Sequence, residues 1–224
     1  MLTVHHLETS RSHRVLWQLE ELGLEYEVRR YARDPKTLLA PPELRAVHPL
    51  GKSPVITDGE RTIAESGAIL EYLIERHGQG RLVPPAGSPE RLRWTYWMHY
   101  AEGSAMPPLL LKLVFGRLPK ATPALLRPLV RAISRKAQAS FIDPQLRTHI
   151  DYWERSLGES RWFAGDEFSA ADIQMSYPVE AAAARVGFGP ARPRLAAFLA
   201  EIRARPAYQR AEARGGPAMM GAPA

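Results

Sequence analysis

Short alternating runs of apolar and polar residues predict a mixed α/β unit in the first third of the chain. Leu2–Leu7 and Tyr26–Tyr31 have the composition of β-strands. Between them, apolar residues recur every three or four positions and predict a helix from about Arg11 to Leu22, ended by Gly23 as its C-cap. A strand–helix–strand unit of this length predicts a right-handed crossover between two parallel strands.

The next segment has the pattern of a hairpin. Val55–Thr57 and Arg61–Ala64 are predicted strands, and Asp58-Gly59 between them is a hairpin signal. Pro54 cannot donate a backbone hydrogen bond, so it belongs at the first residue of its strand or at a sheet edge. An X-Pro bond in such a turn is the usual place for a cis peptide. A cis bond at Ser53–Pro54 would turn the N–H and C=O groups of Ser53 outward, free to pair with an extended peptide.

A helix from Glu65 to about His77 completes the predicted N-terminal domain, residues 1–77. The resulting order, β-α-β-(α)-β-β-α, is that of a thioredoxin-like α/β domain. Gly78–Ser88 is rich in glycine and proline, and we interpret it as a linker.

Residues 89–214 lack any strand pattern, and we predict an all-α C-terminal domain. The predicted helices are Pro89–Met106, Pro108–Arg117, Pro123–Leu157, Ala170–Val186, Pro193–Arg203 and Pro206–Arg214. Pro107-Pro108 should kink or break the first of them, and Pro128 and Asp143-Pro144 leave open whether the third is one continuous helix. Residues 215–224 are a predicted disordered tail.

One helix start carries a strong local signal. Ser169, followed three residues later by Asp172, has the spacing of a capping box. We interpret this motif as structural, with Asp172 stabilising the helix rather than taking part in chemistry.

Composition excludes several kinds of site. The chain has 224 residues, of which 45% are hydrophobic and 24% charged, as in ordinary globular proteins. The absence of cysteine excludes disulfides, thiolate metal sites and a cysteine nucleophile. No apolar run approaches transmembrane length, and the first residues lack a signal-peptide pattern. We therefore expect a cytoplasmic location and no membrane partner.

Positive charge is concentrated in one segment. No acidic residue lies between Glu102 and Asp143, and the interval holds seven basic ones: Lys112, Arg117, Lys120, Arg127, Arg131, Arg135 and Lys136. Such a segment could attract anionic ligands, a membrane surface or nucleic acid, or it could be a solvated helical face. Aromatic residues do not alternate with these cations, so we expect no nucleic-acid partner.

The order and spacing of several motifs resemble the cytosolic glutathione transferase family. The motifs are Gly51-Lys52-Ser53-Pro54, Glu65-Ser66-Gly67-Ala68-Ile69 and the segment Gly165–Asp172. Two further segments, Ser10–Trp17 with its SRSxR pattern and Tyr100–Pro108, are similar to a bacterial and fungal branch of that family. The resemblance implies a thioredoxin-like domain followed by an all-helical one, and a homodimer.

The resemblance also implies a glutathione-binding set. Ser53 would pair its backbone with the cysteinyl part of glutathione, beside a cis Pro54. Glu65 and Ser66 would hold the γ-glutamyl end, which suits a helix N-terminus with a carboxylate nearby for the ammonium group. Lys52 would reach the glycyl carboxylate. The alternatives are a solvated Lys52 and a purely capping role for Glu65 and Ser66.

The residue that activates the glutathione thiol is predicted near the first helix. Members of the family use a Tyr, Ser or Cys there, but this chain has no cysteine and no tyrosine before Tyr26. The catalytic serine of the serine classes aligns with Thr9, and Ser10 lies one residue later. We predict Ser10, with Thr9 as the alternative, although either could act only as an N-cap. Arg11 is a further candidate, because a cation in a first helical turn is favourable only beside a bound anion.

The resemblance implies that the second substrate is a small hydrophobic electrophile or a peroxide, bound between the domains. We predict Tyr100, Ser104 and Met106 in this pocket, although an aromatic stripe at helical spacing can equally be core. Glutathione is the expected co-substrate, and no metal is expected. The predicted function is therefore a glutathione transferase. The alternative is a non-catalytic glutathione-binding, ligand-binding or adaptor protein on the same fold.

Overall fold

The computed structural model of the protein describes residues 1–35, 37 and 39–216. The N-terminal elements are β1 (Leu2–Leu7), α1 (Ser12–Leu22), β2 (Glu27–Tyr31), α2 (Glu43–Val47), β3 (Val55–Asp58), β4 (Arg61–Ala64) and α3 (Ser66–Leu73). A π-helical turn, Ile74–Gly78, extends α3 to the linker. This is the predicted thioredoxin-like order, with a short α2 in the segment where the sequence pattern is weakest.

The four strands form one mixed sheet in the order β2-β1-β3-β4. β1 pairs with β2 in parallel, as the crossover predicts, and β3 pairs antiparallel with both β1 and β4. Pro54 directly precedes β3, so its missing N–H removes nothing from the sheet ladder. The Ser53–Pro54 peptide bond is cis.

Beyond the linker the described chain is helical, which confirms the predicted fold class. The helices are α4 (Pro89–Tyr100), α5 (Met106–Ala121), α6 (Arg127–Ala137), α7 (Asp143–Glu159), α8 (Ala170–Arg185), α9 (Pro193–Ala204) and α10 (Pro206–Gly215). Gly215 is buried at the end of α10 and therefore does not belong to the predicted disordered tail. Residues 217–224 of that tail lie outside the described residues.

Two π-helical turns change the predicted helix boundaries. Ala101–Ala105 joins α4 to α5, and Gln138–Ile142 joins α6 to α7. Each turn immediately precedes a helix with proline in its first turn. A proline lacks the N–H that an α-helix would need, and a wider turn accommodates the missing bond. The predicted break at Pro107 is therefore a bulge, and the predicted helix Pro123–Leu157 is two helices.

The capping box at α8 is present as predicted. Asp172 Oδ2 accepts hydrogen bonds from the N–H (2.9 Å) and hydroxyl (3.2 Å) of Ser169. Its other oxygen, Oδ1, accepts one from the N–H of Phe163 at 2.9 Å. Burial raises the pKa of Asp172 to about 7, although these hydrogen bonds oppose the shift. The carboxylate thus ties the loop before α8 to the buried first turn of the helix.

We expect His13, buried on α1, to make folding sensitive to acid. Burial lowers the pKa of His13 to about 3, whereas an unfolded histidine titrates near pH ~6.5. Below pH ~6.5, His13 therefore binds a proton in the unfolded chain but not in the folded chain. The free energy of unfolding falls as the pH drops below the unfolded pKa of His13. We expect a loss of about 2 kcal/mol between about pH 7.5 and about pH 5.

Chemical denaturation of the wild type and of His13→Phe across this pH range checks the expectation. The substitution keeps a ring against Tyr208, whose centroid lies 4.8 Å away, and should flatten the profile. His99→Phe, on the exposed side of α4, is the matched control and should leave the slope unchanged. An equal slope in His13→Phe and wild type would contradict the assignment.

Candidate active site

The turn before β3 presents an unpaired backbone. Ser53 has no backbone hydrogen bond to any described residue, because β3 begins only at Val55. Its side chain is held instead. Ser53 Oγ donates to the carbonyl of His5 at 3.0 Å and accepts from the N–H of Leu7 at 3.3 Å. The side chain thus fixes the turn to β1 and leaves the main-chain N–H and C=O of Ser53 available to an extended ligand.

The N-terminus of α3 lies beyond this turn in the chain and carries a second set of polar groups. Glu65, the N-cap residue, is exposed and has a left-handed φ of 72°. A non-glycine residue in this conformation is uncommon and is frequent at functional sites. Ser66 is buried, and its hydroxyl oxygen accepts from Arg14 Nη1 (3.1 Å) and Gln174 Nε2 (3.4 Å). The hydroxyl hydrogen of Ser66 therefore remains free to donate.

Arg14 connects the two halves of the molecule. Its side chain is only 1% exposed, and Nη1 reaches Ser66 on α3, Glu102 at 2.6 Å and Gln174 on α8 at 3.1 Å. Tyr177 lies under the guanidinium, with its ring centroid 5.1 Å away. Burial lowers the pKa of Arg14, and the Glu102 carboxylate opposes this shift. Arg14 thus holds the N-terminus of α3 against the helical domain.

Arg11 shares the same carboxylate. Arg11 Nε lies 3.1 Å from Glu102 Oε2, without hydrogen-bond geometry, and its guanidinium is 5.5 Å from the Tyr177 ring centroid. The sequence made Arg11 a candidate because a cation in a first helical turn is favourable beside a bound anion. Glu102, which lies 88 residues after Arg14, supplies that anion within the protein. Arg11 keeps 36% of its side chain exposed and is the cation open to a ligand.

The N-terminus of α1 and its N-cap residue differ from the prediction. The helix begins at Ser12, its N-cap is Arg11 and no side chain caps it, so neither Thr9 nor Ser10 is the N-cap. Thr9 has a left-handed φ of 47°, which is strained for a β-branched residue. Its hydroxyl makes no hydrogen bond to any residue that the structure describes, and its carbonyl accepts from Arg33 at 3.2 Å.

Ser10 belongs to a buried chain of hydroxyls. Ser10 Oγ lies 2.7 Å from Ser12 Oγ, which lies 2.8 Å from His6 Nδ1. His6 Nε2 lies 2.8 Å from the carbonyl of Gly215, which can only accept. Burial lowers the pKa of His6, so the ring is neutral with its hydrogen on Nε2 and accepts from Ser12. Ser10 in turn donates to Ser12, and its hydroxyl hydrogen is already occupied.

The remaining predicted residues fall in different environments. Lys52 is exposed, and its ammonium group forms no hydrogen bond or ion pair with any described residue. Ser104 is exposed on the π-helical turn Ala101–Ala105. Met106 and Tyr100 are buried in the core. The Tyr100 hydroxyl bonds to His149 and accepts from Trp153 Nε1 at 3.0 Å.

Tyr100, a member of the predicted aromatic stripe, thus belongs to the core and does not line a pocket. Its ring stacks on Tyr96, with the centroids 5.3 Å apart, and meets Trp97 edge to face at 5.0 Å.

The sequence analysis did not identify Gln174 and Tyr177, which lie beside the Arg14 network. The sequence predicted only that both residues lie on a helix, because nothing in the local sequence indicates which face of α8 packs against α1.

Neither a metal site nor a membrane span is found in the part of the chain that the structure describes. Among residues 1–35, 37 and 39–216, no three His, Asp or Glu side chains are grouped as metal ligands. No helix in the same residues is long and apolar enough to cross a membrane.

Comparison with known proteins identifies the family. Residues 1–75 match the family model of the glutathione S-transferase N-terminal domain, and residues 128–210 match a C-terminal domain model of the same family. Glutathione S-transferase 3 of Schizosaccharomyces pombe is 36% identical over 182 residues, covering 81% of this chain and 74% of the relative. Glutathione S-transferase 1 of Saccharomyces cerevisiae is 30% identical over 190 residues, covering 81% of each chain.

A solved structure agrees over almost the full length. The crystal structure of a glutathione S-transferase from Actinobacillus pleuropneumoniae has a TM-score of 0.78 and 30% identity, and covers 96% of this chain and 93% of its own. The likeness extends over both the thioredoxin-like and the helical part of this chain. The chain belongs to the glutathione S-transferase family and is a glutathione transferase.

Proposed function

We propose that this protein binds glutathione between cis-Pro54 and the N-terminus of α3, and activates its thiol for attack on a small hydrophobic electrophile or a peroxide. The observation that carries the proposal is the unpaired backbone of Ser53 beside Pro54. A peptide ligand needs such a free edge, and main-chain hydrogen bonds to it would hold the cysteinyl part in place. The names of the relatives supply the ligand's identity.

The γ-glutamyl end suits the groups around α3. Ser66 Oγ already accepts from Arg14 and Gln174, so its hydrogen can donate to the ligand's carboxylate. The first N–H groups of α3 add a favourable dipole for the same charge. Glu65 is exposed beside them and offers a carboxylate to the ligand's ammonium group. Lys52 is free to reach the glycyl carboxylate.

For the sulfur we propose Thr9 as the first hydrogen-bond donor, supported by Arg11. The Ser10 hydroxyl, which the sequence favoured, donates to Ser12, whereas the Thr9 hydroxyl has no partner among the described residues. A donor and a cation lower the pKa of a thiol, and the thiolate is the reacting nucleophile. The thiolate attacks the electrophilic carbon, the leaving group departs with its electron pair, and the thioether product forms. Ser10 then acts as a positioning residue for the turn.

The electrophile should enter beside Arg11 and Tyr177. Of the three residues predicted for this pocket, Ser104 alone is exposed and remains a proposed contact. Tyr100 and Met106 are buried, so we propose that they support the residues that line the pocket and do not contact the electrophile themselves. Homodimer formation stays a prediction from the resemblance, and a cytoplasmic location stays a prediction from the sequence pattern.

Retention on immobilised glutathione, thermal stabilisation by millimolar glutathione and conjugation of 1-chloro-2,4-dinitrobenzene test the proposal together. We expect all three. Retention and stabilisation without turnover would favour the alternative, a glutathione-binding protein without catalysis. A protein that is neither retained nor stabilised would overturn the proposed site.

We expect Thr9→Val to lower kcat/KM by about tenfold near neutral pH and to raise the pKa of bound glutathione by about one unit. Valine keeps the branched shape of threonine, so the left-handed turn is equally strained and only the donor is lost. Thr9→Ser should retain activity. Ser10→Ala should lower stability more than it changes the thiol pKa, since Ser10 Oγ also accepts the N–H of Ser12 at 3.2 Å. The pH profile of the thiolate absorbance separates the two residues, and a larger pKa rise in Ser10→Ala than in Thr9→Val would contradict the assignment.

A further inference from the structure

A cavity of about 860 Å³ lies where the linker meets α4, α7 and the loop before α8. This volume is typical of small-molecule binding sites, which often lie where separate parts of a fold meet. None of the residues proposed to bind glutathione or the electrophile lines the cavity. A ligand bound here would therefore occupy a second site, separate from the candidate active site.

Both helices turn one face toward the cavity. On each of them, a row of lining residues is spaced three or four positions apart, which is the spacing of one helical face. The rows are Glu90, Arg93 and Trp97 on α4, and Tyr152, Ser156 and Glu159 on α7. The acidic and the aromatic residues of each helix therefore face the same space.

One end of the cavity is aromatic. The centroid of the Tyr100 ring lies 5.6 Å from that of His149. Nearer the start of α4, the centroid of Tyr96 lies 6.4 Å from that of Tyr152, which is nearer the end of α7. The two helices therefore run antiparallel. The ring of Trp97 stacks on Tyr152 at 5.3 Å, so Tyr96, Trp97 and Tyr152 meet at this end of the cavity.

The other end is acidic. Glu90 and Glu159 lie two helical turns from the aromatic residues, about 10 Å along the helix axes. The loop that carries Asp166 and Glu167 is held at this end by Arg93, whose Nε donates to the loop backbone at 3.0 Å. Arg93 also pairs with Glu90 at 2.7 Å, whereas Glu159 and Glu167 form no ion pair or hydrogen bond with any described residue. In a chain with a formal net charge of +6, this end is therefore a local negative patch that favours a cation.

Trp97 has a hydrogen-bond donor without a partner. Only 3% of the residue is exposed, and Nε1 forms no hydrogen bond with any described residue. Nε1 is not fully enclosed by protein, so it can be reached from the cavity that Trp97 lines. An oxygen atom of a ligand would satisfy this donor and orient the ligand against the aromatic wall.

The linker side of the cavity is strained and firmly held. Leu82 has a left-handed φ of 62°, and non-glycine residues in such conformations cluster at functional sites. The carbonyl of Leu82 accepts from Trp94 Nε1 at 3.2 Å and from the N–H of Ala170 at 2.9 Å. These bonds fix the linker to both α4 and α8, so this wall is formed before any ligand binds, which lowers the cost of binding.

We propose that this cavity binds an aromatic amine that is cationic at neutral pH and carries an oxygen atom beside its ring. The ring would pack against Tyr96 and Tyr152, and the oxygen would accept from Trp97 Nε1. The ammonium group would lie between Glu159 and Glu167, where a neutral ligand gains nothing and an anion is repelled. The proposal does not depend on the proposed glutathione site, and each can fail without the other.

Isothermal titration calorimetry with three naphthyl ethers of different charge tests the proposal on the full chain. Propranolol carries an ammonium group, its glycol analogue is neutral, and naphthyloxyacetate is an anion. We expect propranolol to bind about tenfold more tightly than the glycol, and naphthyloxyacetate to bind more weakly than either. Saturating glutathione should leave the affinity for propranolol unchanged. Equal affinities for the three compounds, no binding of propranolol, or competition with glutathione or 1-chloro-2,4-dinitrobenzene would overturn the proposal.

A charge variant tests the acidic end. Glu159→Gln/Glu167→Gln should lower the affinity for propranolol about tenfold and leave the affinity for the glycol unchanged. Glu60→Gln/Glu75→Gln removes two exposed acids outside the cavity and is the matched control, which should bind as the wild type does. An equal loss in both variants would mean that only the net charge of the chain matters, and would contradict the site.

A ring variant tests the aromatic end. Tyr96 is 45% exposed, so Tyr96→Ala is expected to fold, and thermal denaturation checks that it does. It should lower the affinities for propranolol and for the glycol alike, about fivefold, because both lose the same aromatic contact. Phe141→Ala, at a 59% exposed ring outside the cavity, is the matched control. Unchanged affinities in Tyr96→Ala would place the ligand elsewhere and overturn the proposal.

Discussion

Asp172→Ala is expected to lower the free energy of unfolding by about 4 kcal/mol. The alanine removes the acceptor of three buried donors, the N–H groups of Phe163 and Ser169 and the hydroxyl of Ser169. Each buried donor left without a partner costs about 1–3 kcal/mol. The loss also uncouples the loop before α8 from a helix that is buried along most of its length.

Thermal and chemical denaturation of Asp172→Ala beside Asp166→Ala checks this expectation. Asp166 is the matched control, since it is exposed and accepts from the N–H of Arg161 at 3.3 Å. For a chain of this size we expect the melting temperature of Asp172→Ala to fall by about 10 °C, and that of the control by about 2 °C or less. A comparable fall in both would show that the buried carboxylate has no special role.

Glu102→Ala is expected to cost about 3 kcal/mol of stability, because it leaves the buried Arg14 charge without its counter-ion. Breaking a buried pair from one side is strongly unfavourable, whereas replacing both partners by apolar groups is often neutral. The double variant Arg14→Met/Glu102→Ala should therefore be more stable than Glu102→Ala alone. We also expect the single variant to bind glutathione more weakly, since Arg14 Nη1 holds the Ser66 hydroxyl at 3.1 Å.

A double-mutant cycle by chemical denaturation, with glutathione affinity measured in parallel, separates these effects. Glu90→Ala is the matched control, because Glu90 pairs with Arg93 at 2.7 Å on the surface, with both side chains more than 40% exposed. Such a pair contributes about 0–1 kcal/mol. If the double variant were less stable than Glu102→Ala, the Arg14–Glu102 pair would not be the source of the loss.

The parts of the fold that were predictable from the sequence are those fixed by neighbours in the chain. The capping box needs only Ser169 and Asp172, three residues apart, and the hairpin needs only Asp58-Gly59 between two β-type runs. The cis peptide position followed from Pro54 entering a strand. In each case the residues that decide the geometry are close neighbours in the sequence.

The candidate active site was less predictable, because packing between residues far apart in the sequence determines which side chains are buried and which hydrogen bonds they form. The burial of Arg14 has no signal in its own segment, because its partners Ser66, Glu102 and Gln174 lie 52, 88 and 160 residues away. Tyr100 has helical spacing compatible with a pocket, and only Trp153 of α7 fixes it as core. The hydroxyl hydrogen of Ser10 is held by the chain that runs through Ser12 to His6, which no local pattern indicates.

The bond from His6 to the carbonyl of Gly215 has a consequence for biosynthesis, because it joins residues 209 apart. The thioredoxin-like domain can begin to fold as soon as its strands leave the ribosome, since domains fold as units from the N-terminus. Its hydroxyl chain, however, cannot reach its final arrangement until α10 has been synthesised and has packed on α1. A nascent chain would therefore carry a folded first domain in which the proposed catalytic turn is unfinished, and we expect activity to arise only with the last helix.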